Sequence, residues 1–179
     1  AAEEYLANLE NEDRQIAEVM IFDDNAYVVV EEKSTGIGAF ELLTDSLSNT
    51  TYPEHSSNMM WNVKYSGLNR KYMMGNSNGM MGGSGGMMGG FGWDTNIPLN
   101  ASADLTISPE EAIGYAQTYL DANIAGAVAA TDPIKFYGYY TLDFEQDGKV
   151  AGMLSVNGYT GQVFLHTWHG TFVEESEIQ

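Results

Sequence analysis

Over residues 73–93 the chain reads MMGNSNG, MMGGSGG and MMGGFGW, three tandem seven-residue units that each open on a methionine pair. A period of seven would suit a coiled coil. Each interior glycine, however, costs roughly 0.8–1 kcal/mol of helix propensity, and glycine fills many of these positions. The segment therefore reads as a long loop, a kind of connection that is uncommon unless it serves a function. It divides the chain into two stretches, and these resemble each other.

The second stretch is the clearer copy. Ser108-Pro109-Glu110-Glu111 is a helix start, with Ser as N-cap, Pro at the first helical position and Glu closing a capping box. Ala112, Ile113, Ala116, Tyr119 and Leu120 follow at helical spacing. After the break at Asp132-Pro133, Tyr140, Leu142 and Phe144 alternate with Thr141, Asp143 and Glu145, which predicts a strand with one wet face. Asp147-Gly148 predicts a hairpin turn. Residues 150–156 return, Asn157-Gly158 opens a second turn, and residues 162–166 make a further strand.

The first stretch repeats this order with less punctuation. Tyr5-Leu6 corresponds to Tyr119-Leu120 at a helix end, and residues 16–22, 26–32 and 37–44 read as strands. Leu43-Thr44 falls on Leu154-Ser155 and Thr51-Tyr52 on Val163-Phe164 with a one-residue gap, which brings His55 near the place of His166. On this alignment Ala1 sits mid-helix without a cap, so native residues are expected to precede it. The expected fold class is α+β, with two units that each pack a helix on an antiparallel β-meander. The boundaries are 1–60 for the first unit, 61–105 for the Met/Gly-rich insert and linker, 106–174 for the second unit and 175–179 for an acidic tail.

The string Gly152-Met153-Leu154-Ser155-Val156-Asn157-Gly158-Tyr159-Thr160-Gly161-Gln162-Val163, followed by Trp168-His169-Gly170, resembles the end of a PepSY domain. The likeness covers residues 108–172 well and 1–55 more loosely, and the whole resembles tandem prokaryotic PepSY proteins with a Met- and Gly-rich middle. The resemblance implies an extracytoplasmic location, secreted or at the cell surface. It also implies a binding or regulatory module rather than an enzyme, with inhibition of a secreted peptidase as an associated role. Two sequons, at Asn49 and Asn100, suit such a setting as glycosylation sites.

Charge narrows the partners. Seven basic residues stand against 25 acidic ones, a net charge of −18. Nucleic acid binding needs Lys and Arg to replace phosphate counterions, so neither nucleic acid nor an anionic membrane surface is an expected partner. No apolar run approaches the ~20 residues of a membrane helix. Cysteine is absent, which removes disulfides and thiolate chemistry together.

The candidate chemistry lies in thioethers and imidazoles. Met73, Met74, Met80, Met81, Met87 and Met88 are soft, uncharged donors suited to Cu(I) or Ag(I), and glycine lets the backbone fold round an ion. His55, Met59 and Met60 lie just upstream, and His166 and His169 could add imidazoles. The competing reading is that the methionines pack irregular gaps or form an adaptable contact surface. On a regular strand His166 and His169 point to opposite faces, so they act together only if a turn or bulge intervenes. No cofactor is required by any motif. Acidic neighbours such as Asp23-Asp24 and Glu31-Glu32 read as solvated faces, and no nucleophile–base set is identifiable. Lys64, Arg70 and Lys71 make a basic stem before the Met units, which either anchors the loop or meets the acidic surface of another copy. The sequence thus points to a non-enzymatic binding or assembly module that captures soft metal. The alternatives are a structural subunit of an extracellular filament or surface polymer, and a regulator of a secreted peptidase.

Overall fold

A computed structural model describes residues 1–9, 12–66 and 103–177. The six methionines of the tandem units, Arg70, Lys71 and Asn100 lie outside the described residues. The fold is α+β, with two antiparallel sheets. A short helix α1 (Ala2–Ala7) precedes β1 (Arg14–Phe22), β2 (Asn25–Glu32), β3 (Gly38–Asp45) and β4 (Thr51–Pro53), and a single turn of helix, α2 (Ser57–Met60), follows. Helix α3 (Pro109–Asn123) leads into β5 (Ala127–Ala129), β6 (Ile134–Lys135), β7 (Tyr139–Gln146), β8 (Lys149–Asn157), β9 (Val163–Leu165) and β10 (Phe172–Glu177). The first sheet runs β10-β1-β2-β3-β4 and the second β5-β7-β8-β9, with β6 also on β7.

Local sequence explains the elements. Ser108 accepts from the Glu111 backbone N–H while Glu111 accepts from that of Ser108, so the capping box forms as expected. Asp147 and Gly148 both take positive φ, 55° and 73°, which matches the twist of the hairpin that joins β7 to β8.

Strand alternation sorts the side chains into layers. In the first sheet Val28, Val30, Phe40 and Leu42 face Leu9 and Tyr65, with Tyr5 and Leu6 of α1 packed beside them. In the second sheet Tyr140, Leu142, Phe144, Leu154 and Val156 face Ala112, Ala116 and Leu120 of α3. The remaining faces meet each other: Met20, Phe22, Tyr27, Val29 and Leu43 pack against Phe136, Tyr139 and Met153. The order is helix, sheet, sheet, helix.

That arrangement corrects the expected wet face of β7. Thr141 on β7 and Ser155 on β8 are fully buried, because the polar side of this sheet is covered by the first sheet rather than by water. The close approach demands glycine at 138, where φ is +115° and an added Cβ would stand 2.0 Å from the Trp61 carbonyl oxygen.

The strand registers of β3–β4 and β8–β9 match without a gap. Leu42 pairs with Pro53 and Leu154 with Leu165, at the same separation along the chain. Leu42 is thus the counterpart of Leu154, one residue from the sequence alignment, and Glu54 rather than His55 takes the place of His166. The last strand leaves the second meander: β10 pairs with β1 and closes the first sheet. Residues 175–177, read from the sequence as the start of an acidic tail, are the end of that strand. Among the described residues no helix is long and apolar enough to cross a membrane.

Candidate functional site

The two short strands β4 and β9 deliver the site. The backbone N–H of Glu54 donates to the Glu41 carbonyl, and that of His166 donates to the Met153 carbonyl, each at 2.9 Å. Each bond extends its sheet by one residue beyond the last paired position, and both side chains enter the space between the sheets. Strand β9 then stops at Leu165. The chain bends at Trp168-His169, and this bend returns His169 to the side of His166. The condition for the two histidines to act together is met by a turn, not a bulge.

Three ligating atoms converge. His166 Nδ1 lies 3.3 Å from Glu54 Oε1, His169 Nε2 lies 3.4 Å from the same oxygen, and the two nitrogens are 3.4 Å apart. Glu54 is fully buried, and His166 and His169 are 5% and 2% exposed. Among the described residues this is the one group of three His or carboxylate side chains whose donor atoms could share an ion.

The outward nitrogens are pinned. Asn25 Nδ2 donates to the Trp168 carbonyl at 2.8 Å, which turns its amide oxygen toward His169 Nδ1 at 3.0 Å. An amide oxygen only accepts, so Nδ1 carries the proton and Nε2 faces inward as a lone pair. On the other side Thr141 donates to Glu41 Oε1 at 2.6 Å. Its oxygen therefore receives the Ser155 hydroxyl at 3.1 Å, and Ser155 Oγ is left to accept from His166 Nε2 at 2.8 Å. Trp168 covers the group: its indole stacks on His166 at 4.9 Å and its Nε1 donates to Glu54 Oε1 at 3.1 Å.

Electrostatics follow from burial. Burial raises the Glu54 carboxyl, but His166 and then His169, in their protonated forms, outweigh it and hold the group at about 2. Burial lowers His166, yet the Glu54 charge moves its net shift upward. Burial keeps His169 below its ordinary value. Glu41 is pushed up to about 8 by burial and then by the charge of Glu54. When ionised it accepts from Tyr27 and Tyr139, each at 2.7 Å, and burial beside Glu41 raises both phenols well above the usual tyrosine range.

The other sequence candidates go elsewhere. His55 is exposed, and its ring lies tilted against that of Trp168, with centroids 4.7 Å apart. Met60 is 42% exposed and Met59 half-buried, and neither belongs to the donor group. Asn49 is exposed in the β3–β4 turn at φ 54°. Lys64 is held on Glu32 at 2.5 Å. Glu32 itself is buried, contrary to the solvated face expected of the Glu31-Glu32 pair.

Sequence reasoning missed Glu54, Glu41, Asn25 and Ser155. A lone acidic residue in the apolar run Ala39-Phe40-Glu41-Leu42-Leu43 is a readable signal of a buried carboxylate, and correct strand register would have matched Glu54 to His166. No family model, curated protein or solved structure matches the chain.

Proposed function

We propose that the protein is a non-enzymatic binding module of the extracytoplasmic, PepSY-like type, two helix-and-meander units around a Met/Gly-rich segment that captures soft metal. The observation that carries the non-enzymatic part is the placement of Glu41, Glu54, His166 and His169 between the sheets, at most 5% exposed. A general base or nucleophile must come within hydrogen-bond reach of a substrate, and groups walled in by two sheets hold rather than turn over. The strand edges disfavour the polymer alternative by open β-pairing. Strands β4, β5 and β9 are three residues each, and β10 carries exposed Glu174 and Glu175. Short and charged edges resist pairing with another chain. Recognition is assigned instead to the thioethers of Met73, Met74, Met80, Met81, Met87 and Met88, the largest set of soft donors in the sequence. Anaerobic Cu(I) titration of the wild type against a variant with all six changed to Leu tests this reading. Binding should vanish in the variant, and an unchanged affinity would overturn it.

A further inference from the structure

We infer that Glu54, His166 and His169 form a resident site for a borderline divalent transition ion, of the Zn(II) or Cu(II) class, that clasps the two sheets together. This goes beyond the soft-metal reading, uses none of its methionines and stands or falls separately.

Distance is the first argument. The three donor atoms form a nearly equilateral triangle with edges of 3.3, 3.4 and 3.4 Å. Bonds of about 2.0–2.1 Å from nitrogen or carboxylate oxygen to Zn(II), set at tetrahedral angles, require ligand separations of about 3.3–3.4 Å.

The hydrogen inventory is the second. His169 Nδ1–H is committed to Asn25 and His166 Nε2–H to Ser155, so with neutral imidazoles the inward face of the triangle is three acceptors and no donor. Acceptors that close repel unless a positive centre sits among them. Both histidines thus show the arrangement of metal ligands, with the second ring nitrogen fixed by an acceptor.

Glu54 supplies an independent sign. Its second oxygen, Oε2, is buried and has no hydrogen-bond partner, and an orphaned carboxylate oxygen is costly in a fully buried side chain. A carboxylate that binds an ion through both oxygens removes that cost and, with the two imidazoles, completes four-coordination. Charge agrees: Glu41 and Glu54 are both fully buried, and the ion pairs recorded for Glu54 are to imidazoles alone.

Donor type selects the ion. Ca(II) takes six to eight oxygens, whereas this site offers one carboxylate. Cu(I) prefers sulfur, while imidazole suits Zn(II), Cu(II) and Ni(II). Placement gives the role: Glu54 directly follows β4 of the first sheet, while His166 and His169 follow β9 of the second and precede β10 on the first sheet. One ion would join all three segments, under the indole of Trp168 that stacks on His166 and donates to Glu54.

Refolding the full chain in Co(II), with Zn(II) and chelator as parallel arms, tests the site. The wild type is expected to retain one equivalent with the intense visible absorption of four-coordinate Co(II), and to melt at higher temperature with Zn(II) than with chelator. Glu54→Gln and His169→Gln should each weaken binding by more than ~100-fold, above the usual loss for outer-shell partners, while His55→Ala and the six-Leu variant retain it. No retained ion in the wild type, a weak six-coordinate spectrum, or equal binding by Glu54→Gln would overturn the proposal. If a variant does not fold, the wild-type spectrum decides. Loss of Cu(I) binding in the six-Leu protein with Co(II) retained separates this site from the methionine reading.

Discussion

Two buried carboxylates in this protein are solved in opposite ways. Glu32 meets Lys64 Nζ and Tyr137 Oη, each at 2.5 Å, together with the hydroxyls of Tyr65 and Thr35. Its positive partner is covalently part of the chain, and both oxygens are satisfied. Glu54 has two imidazoles and an indole on one oxygen and nothing on the other. One cluster is complete as built, and the other leaves one carboxylate oxygen without a partner. Burial alone therefore does not distinguish a structural ion pair from a binding site. The distinction lies in whether the positive charge is fixed and whether every acceptor is used.

The most forceful way to break this contrast is to remove the fixed cation. Lys64→Met leaves Glu32 buried with hydroxyl donors alone, and removal of one partner of a buried pair costs about 3–5 kcal/mol. The three remaining hydroxyls place the expected loss near the low end, about 3 kcal/mol. Urea unfolding of wild type and variant measures it. A loss below about 1 kcal/mol, the range of exposed pairs, would mean that Glu32 does not depend on Lys64 and that the two carboxylates are more alike than their geometry says.

Proton linkage gives Glu32 and Glu41 opposite signs. Burial raises Glu32, but Lys64, Tyr137 and Tyr65 outweigh it and hold the group at about 2. Between about 2 and the unfolded value near 4.3 the unfolded chain binds more protons, so this contribution is complete above that window and is lost as pH falls through it. Glu41, raised to about 8, behaves in reverse. The folded protein holds its proton, and stability falls as pH rises from about 4.3 toward 8. In chelator-treated protein, Glu32→Gln should flatten the acid limb of a stability–pH curve and Glu41→Gln the limb above it. Each slope is at most about 1.4 kcal/mol per pH unit. A Glu41→Gln variant that keeps the wild-type slope between pH 5 and 8 would remove Glu41 from the account.

Much of the fold was legible because its signals are local. The Ser108 capping box, the Asp147-Gly148 turn and the strand alternation each depend on a few neighbouring residues. The α3 helix and the longer strands could be read from them, whereas the short strands β5 and β6 and the returning β10 could not. What could not be read is what covers each face. Thr141 and Ser155 look like solvent residues in their own strands, and only the docking of the first sheet makes them interior. The site shows the same division. His166 and His169 were visible as a pair, but Glu54 reaches them from more than a hundred residues away, and its match to His166 depends on a strand register set by backbone pairing. A one-residue error in that register was enough to nominate His55.

The smallest expected effect sharpens the comparison from the side of Glu32. Thr35 Oγ1 donates to Glu32 Oε2 at 3.0 Å and accepts from the Ile37 N–H at 3.2 Å, but Thr35 is exposed. Water can replace its hydroxyl, and Oε2 keeps the phenol of Tyr137. Thr35→Val should therefore cost about 0.5 kcal/mol, the low end for an intramolecular hydrogen bond, with only a slight upward move of the acid limb assigned to Glu32, because its hydroxyl is the last of the groups that lower that carboxyl. Thermal and urea unfolding of the variant measure both. If the loss instead approaches that of Lys64→Met, Glu32 relies on its full set of donors, and its cluster would be as incomplete without one hydroxyl as the Glu54 triangle is without an ion.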